Sequence, residues 1–251
     1  MTALRLEHLG KRFGGVEAVA DLCLSAASGR ITGLIGPNGA GKTTVVNIVT
    51  GILAPSSGRV LMGERDITGL KPHKIACAGA ARTFQNVRLL RDATVLDNVI
   101  VGFHRHMETS LFANFVGLPS VWRERADFIR RAHAILERFG LSDLAKTRAG
   151  ALSYGHQRRV EIMRALAMAP EFLLLDEPVA GMNDVEAERL GAIVRELADG
   201  GIGILLIEHN MRFVMGLCDT IYVLDSGRLI ASGSPEEIGS NPAVIAAYLG
   251  E

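Results

Sequence analysis

Eight consecutive residues, Gly36-Pro37-Asn38-Gly39-Ala40-Gly41-Lys42-Thr43, constrain this chain more than any others. They fit the pattern G-x-x-x-x-G-K-[ST], and they lie between an apolar run, Ile31–Ile35, and a helix-like stretch over residues 42–50. Glycines let backbone N–H groups close around an anion without side-chain collision. The start of a helix adds the positive end of its dipole. In that setting Lys42 can neutralise the β- and γ-phosphates of a nucleoside triphosphate. The Thr43 hydroxyl, with Thr44 beside it, can hold Mg²⁺.

A strand that feeds such a loop belongs to a parallel sheet. Residues 172–176, 203–208 and 221–224 read as further apolar strands. Their alternation with amphipathic segments argues for a mainly parallel α/β sheet. Residues 4–8 and 19–24 read as a small antiparallel layer ahead of it, and Asp225-Ser226-Gly227 as the turn of a late hairpin. Between about residues 92 and 164 the pattern turns helical. Phe128, Ile129, Ala132, Ile135, Leu136 and Phe139 recur at intervals of three and four, one buried stripe. The reading is a single domain over 1–251 with a helical subdomain inserted at 92–164. Ser234-Pro235-Glu236-Glu237 is a capping box, opening a C-terminal helical tail at 234–251.

Phe172-Leu173-Leu174-Leu175-Asp176-Glu177 ends an apolar run in two acids. A buried strand that delivers adjacent carboxylates at its C-terminal end places them beside the phosphate loop of a doubly wound sheet. Asp176 is then suited to Mg²⁺, and Glu177, pointing elsewhere, to taking a proton from an attacking water.

Composition removes several alternatives. With 27 basic against 27 acidic residues there is no global charge for gripping a polyanion. The basic clusters at residues 123–131 and at Arg158-Arg159 read as solvated helix faces. No apolar run approaches the ~18–20 residues that span a bilayer. The opening MTALRLEHLG lacks the pattern of a secretory signal, which points to a soluble, cytosolic chain. Cys23, Cys77 and Cys218 are far apart, as expected of buried or neutral thiols in a reducing compartment. His104 and His106 lack a third ligand and make a poor metal site.

The segment Leu152-Ser153-Tyr154-Gly155-His156, about twenty residues before the acidic pair, resembles the signature of ABC-type ATPases, usually LSGGQ. Three further segments agree. Gln85 resembles the Q-loop glutamine, Ala180-Gly181-Met182-Asn183 the D-loop, and His209 the switch histidine. Phe13 stands where an aromatic stacks on adenine. The resemblance covers essentially the whole chain. It implies a P-loop NTPase (RecA-like) core with an N-terminal antiparallel β layer and an inserted α-helical subdomain. It implies ATP and Mg²⁺ as cofactors, with Thr43, Gln85 and Asp176 at the metal and Glu177, His209, Gln85 and Lys42 in catalysis. By the same resemblance ATP would be held by Phe13, Gly36, Pro37, Asn38, Gly39, Ala40, Gly41, Lys42, Thr43 and Thr44 of one subunit. Ser153 and Gly155 of the opposite subunit would cap its γ-phosphate.

The LSYG form, the RRVEI run after it, the AGMN D-loop, the insert at 103–123 and the tail Ala247-Tyr248-Leu249-Gly250-Glu251 look like the ATPases of branched-chain amino acid importers. The longer, insert-bearing ATPase of the pair is the better match. That resemblance implies integral-membrane permeases and a second ATPase subunit as partners, a homodimer being the other arrangement. It further implies an indirect link to a solute-binding protein, no nucleic acid, and a peripheral place on the cytoplasmic face of the inner membrane. A lipopolysaccharide-export ATPase shares an RRVEI-like run, and DNA-acting ABC ATPases share the core motifs. The latter usually carry long coiled coils or zinc modules, which this sequence lacks. Three departures mark the chain: Tyr154 replaces a signature glycine, His156 its glutamine, and Asn183 a common D-loop aspartate. His156, at a helix start, raises the question of a pH dependence near neutrality.

Overall fold

A computed structural model describes residues 2–83, 87–107 and 119–249. Gln85 and part of the insert at 103–123 lie outside them, as do the last two residues of the tail.

The strands β1 (Ala3–Phe13), β2 (Val16–Ala27), β4 (Ser57–Met62) and β5 (Arg65–Asp66) form an antiparallel sheet in the order β2-β1-β4-β5. A second sheet runs β10-β9-β3-β8-β7-β6, built from β3 (Ile31–Ile35), β6 (Ala80–Arg82), β7 (Phe172–Asp176), β8 (Gly203–Ile207), β9 (Thr220–Asp225) and β10 (Arg228–Gly233). Its strands pair in parallel except for β10, which is antiparallel to β9. The β9–β10 turn places Ser226 and Gly227 both at positive φ, the twist-matching geometry of a two-residue hairpin.

The central strands are buried on both faces, which is why they read as continuous apolar runs and not as alternating ones. Each strand divides its residues between two cores. Ile31, Ile35, Leu173, Leu175, Ile204 and Leu206 face one. Leu34, Phe172, Leu174, Leu205 and Ile207 face the other. The second core is closed by the antiparallel sheet, by α1 (Lys42–Val49) and by α2 (Pro72–Ala78).

The first core is covered by helices. These are α3 (Val95–Gly102), α4 (Pro119–Arg138), α5 (Tyr154–Ala167), α6 (Asp184–Asp199) and α7 (Met211–Leu217). In α4 the residues Phe128, Ala132 and Leu136 are buried, and Phe103 stacks on Phe128 with centroids 5.2 Å apart. Two short helices end the described chain, α8 (Pro235–Gly239) and α9 (Pro242–Leu249). Ser234 caps α8 in a capping box with Glu237. Among the described residues no helix is long and apolar enough to cross a membrane. The sequence reading passed over β4, β5 and β6, because such short or polar edge strands carry little apolar periodicity.

Candidate functional site

Strands β3, β8 and β7 are sheet neighbours, so their C-terminal ends bring residues 36–43, Glu208-His209 and Asp176-Glu177 to one edge. The loop after β3 is strained into a cradle by glycine. Gly36, Gly39 and Gly41 all have positive φ. A Cβ at Gly36 would lie 2.0 Å from the Leu224 carbonyl oxygen, and one at Gly41 2.5 Å from that of Ala18. A Cβ at Gly39 would meet nothing within 4 Å. The β9–β10 turn braces the loop from outside, with Gly227 donating to the Ala40 carbonyl at 3.0 Å.

Helix α1 begins at Lys42 with Gly41 as N-cap, no side-chain cap and no acid in its first turn. Its first N–H groups have no partners within the helix. By contrast Thr94, Ser153, Asn183, Asn210 and Ser234 each cap their own helices. An uncapped helix start behind a glycine cradle fits a bound phosphate chain. Lys42 is buried and folds back to donate to the carbonyls of Gly36 (2.6 Å) and Pro37 (2.8 Å). Thr43 is exposed and Thr44 half-buried. Phe13 is 46% exposed at the end of β1, under the Lys11 ammonium at 5.1 Å.

Asp176 is almost fully buried. Its Oδ2 accepts from Arg82 at 2.8 Å, and its N–H donates to Thr83 Oγ1 at 3.2 Å. The Arg82 guanidinium also reaches Asn47 (2.6 Å) on α1 and Thr50 (3.3 Å) at its C-cap, tying that helix to β7. Glu177 has φ +50°, the left-handed region, which costs a non-glycine residue about 1–2 kcal/mol. Its N–H donates to the Ile207 carbonyl at 2.8 Å, and its Oε1 lies 3.6 Å from His209 Nδ1. The His209 ring itself is largely exposed.

Beneath it Glu208 is fully buried and accepts N–H donors from Val179 (3.1 Å), His209 (3.0 Å) and Asn210 (3.3 Å). Burial pushes its carboxyl above the usual range, against those three backbone donors. Glu208 thus stitches the chain after Glu177 to the chain carrying His209.

The donor set also suits Mg²⁺. Among the described residues no three His, Cys, Asp or Glu side chains cluster as a metal site. Mg²⁺ beside phosphates needs only one or two protein oxygens, and Thr43 and Asp176 would offer one each. His106 Nε2 is engaged elsewhere, donating to the Met168 carbonyl at 3.0 Å.

Ser153 and Gly155 do not join this edge. Ser153 Oγ accepts the His156 N–H as the cap of α5. Gly155 is buried against α6, where a Cβ would meet Glu186 Oε1 at 3.4 Å. Tyr154 is 44% exposed and lies over Gly181, so that a Cβ there would be 3.1 Å from its ring. His156 is half-buried, and burial first, then Arg159, lowers its pKa from the ordinary imidazole value, with Glu186 opposing.

One sequence expectation is corrected. Arg158 does not belong to a solvated face; it is 0% exposed. Its Nη1 donates to Glu161 Oε2 at 2.7 Å, and its Nη2 to the carbonyls of Asp176 and Glu177. Burial without a partner would be prohibitive for a guanidinium, and Glu161 makes it tolerable. The signal was present as opposite charges at i and i+3 among apolar Val160, Ile162 and Met163. Arg82 and Glu208 were missed as well, because nothing local in the sequence marks a long-range partner.

Comparison with known proteins gives a consistent result. Residues 19–180 match the family model described as ABC transporter. Residues 228–251 match that of the branched-chain amino acid ATP-binding cassette transporter. The chain is 46% identical over 249 residues to the high-affinity branched-chain amino acid transport ATP-binding protein LivG of Salmonella typhimurium, covering 99% of this chain and 98% of the relative. It is 37% identical to the lipopolysaccharide export system ATP-binding protein LptB of Acidithiobacillus ferridurans, covering 99% and 97%. Among solved structures, a nucleotide-free ATP-binding cassette from an ABC transporter superposes with a TM-score of 0.87 at 37% identity, over 100% of both chains.

Proposed function

From the premise that this chain is an ATP-binding subunit of the ABC transporter family, we propose that it hydrolyses ATP to drive a branched-chain amino acid importer. It works as one half of a nucleotide-bridged pair of ATPase subunits. One observation carries the hydrolytic reading: the uncapped start of α1, the Asp176-Glu177 pair and His209 meet at the ends of neighbouring strands.

In this reading the glycine cradle and Lys42 bind and orient the triphosphate, and Phe13 stacks on the adenine. Thr43, Asp176 and Gln85 would hold Mg²⁺, which when bound would supply positive charge to offset that of the phosphates. Glu177 takes the proton of the attacking water, and His209, 3.6 Å away, orients that carboxylate. Ser153 and Gly155 complete the site of the opposite subunit with the start of α5. Permease subunits are the membrane partners, with a second ATPase and, indirectly, a solute-binding protein. The chain itself sits peripherally on the cytoplasmic face of the inner membrane. The cargo rests on the likeness to LivG and on the family segment at 228–251. The lipopolysaccharide-export and DNA-acting readings have less support, the first at 37% identity.

The test is a pull-down of tagged Glu177→Gln from detergent-solubilised membranes with Mg-ATP, followed by mass spectrometry. Recovery of two amino acid permeases and a second ATPase is the expected result. Lipopolysaccharide-export permeases, a bare homodimer or a DNA-bound complex would overturn the importer assignment.

A further inference from the structure

Glu177 has a backbone conformation that a glutamate seldom adopts, and the peptide groups on both sides of its Cα are held from outside. On the N-terminal side its own N–H donates to Ile207 of β8, and the Asp176 carbonyl accepts from Arg158 Nη2. On the C-terminal side the Glu177 carbonyl accepts from the same Nη2 at 3.0 Å. The next residue is Pro178, which has no N–H with which to anchor that peptide otherwise. Fixing both peptide planes fixes φ and ψ, and these set the direction of the Cα–Cβ bond.

The guanidinium that does this is itself clamped. Glu161 Oε2 holds Nη1, and Glu161 Oε1 accepts the N–H of Arg88 at 3.4 Å, just beyond the segment that contains Gln85. Arg158 lies one turn after Gly155 on the buried side of α5.

We propose that Arg158, clamped by Glu161, is a positioning residue: from α5 it fixes the peptide planes around Glu177 and so aims the carboxylate at the attacking water. The proposal rests on the assignment of Glu177 as base. It has a consequence for the pair of sites. The helix whose start meets the opposite subunit's nucleotide is bonded directly to the hydrolytic turn of its own subunit, so the two sites share a rigid part.

The experiment uses the assembled transporter and three alleles. Arg158→Lys keeps the charge beside Glu161 but lacks the planar fork that spans two acceptors. The paired Arg158→Met/Glu161→Leu removes both charges together, a replacement that buried ion pairs often tolerate. Glu177→Gln serves as the reference. The expected result is a fall in kcat of roughly 10²-fold for the first two, the scale of a misaimed catalytic group. ATP affinity and thermal unfolding should stay near those of the wild type. Combined with Glu177→Gln, neither change should lower the residual rate further.

Wild-type kcat in Arg158→Lys would overturn the proposal. So would parallel loss of ATP affinity, an equal further loss in the Glu177→Gln background, or failure of both Arg158 variants to fold. Near-normal hydrolysis by Glu177→Gln would instead remove the base assignment itself, a distinct outcome.

Discussion

At the scale of single residues, the proposed site separates groups assigned to chemistry from groups that balance charge. Glu177→Gln should retain ATP binding and lose about 10²–10⁴-fold in turnover, the usual cost of a general base. Equilibrium binding and steady-state hydrolysis read the two halves of that statement. His156 has its pKa lowered by burial and by Arg159. A depressed imidazole is neutral in the folded chain where the unfolded chain still binds a proton. It therefore subtracts stability as pH falls through the ordinary imidazole value and changes nothing above it. His156→Gln should accordingly leave the pH–rate profile unchanged between about pH 7 and 8.5; a shifted limb there would show that the ring titrates in the working range. The residues proposed to carry chemistry were legible in the sequence because each lies in a short motif. Arg82 and Glu208 were not, because they bond to residues as far as 94 and 29 positions away. For Arg158 the local sign was Glu161, three residues on, while the carbonyls it holds lie 18 and 19 residues away.

Among the elements, several helix starts are closed by a side chain, and that of α1, behind the glycine cradle, is not. Asn183 accepts the Glu186 N–H at 2.9 Å while Glu186 accepts the Asn183 N–H at 3.2 Å, a complete capping box on α6. This gives a physical reason for tolerance at the position, since aspartate and asparagine cap about equally well. Asn183→Ala should cost about 1 kcal/mol in chemical denaturation and Asn183→Asp almost nothing. Equal losses would show that the amide, and not the cap, is what matters. The Ser234 capping box and the parallel strands were legible because the pattern that signals them is local. Strand β6 was not, since Ala80-Ala81-Arg82 is a strand only through its pairing with β7.

Taken whole, the molecule is two buried faces of one sheet, and its thiols report on that enclosure. Cys218 packs in the core behind β3, and burial, with Asp219 beside it, pushes its pKa up to about 12. Cys23 and Cys77 are exposed, so of the expected buried or neutral thiols only Cys218 is buried. At pH 8 a thiol-reactive disulfide should label two cysteines promptly and the third only on unfolding; three equal rates would mean that the core behind β3 is open. The open start of α1 has a further meaning at this scale. Thr94, Ser153, Asn183, Asn210 and Ser234 finish their helices with the chain's own side chains, whereas the start of α1 has none and lies behind the glycine cradle. A nucleotide bound there would stabilise the folded state by mass action. At one hundred times its dissociation constant it adds about 2.7 kcal/mol of stability. A chain synthesised in an energy-starved cell would lack that increment and be the more readily opened to proteases, so the abundance of the motor would follow its fuel.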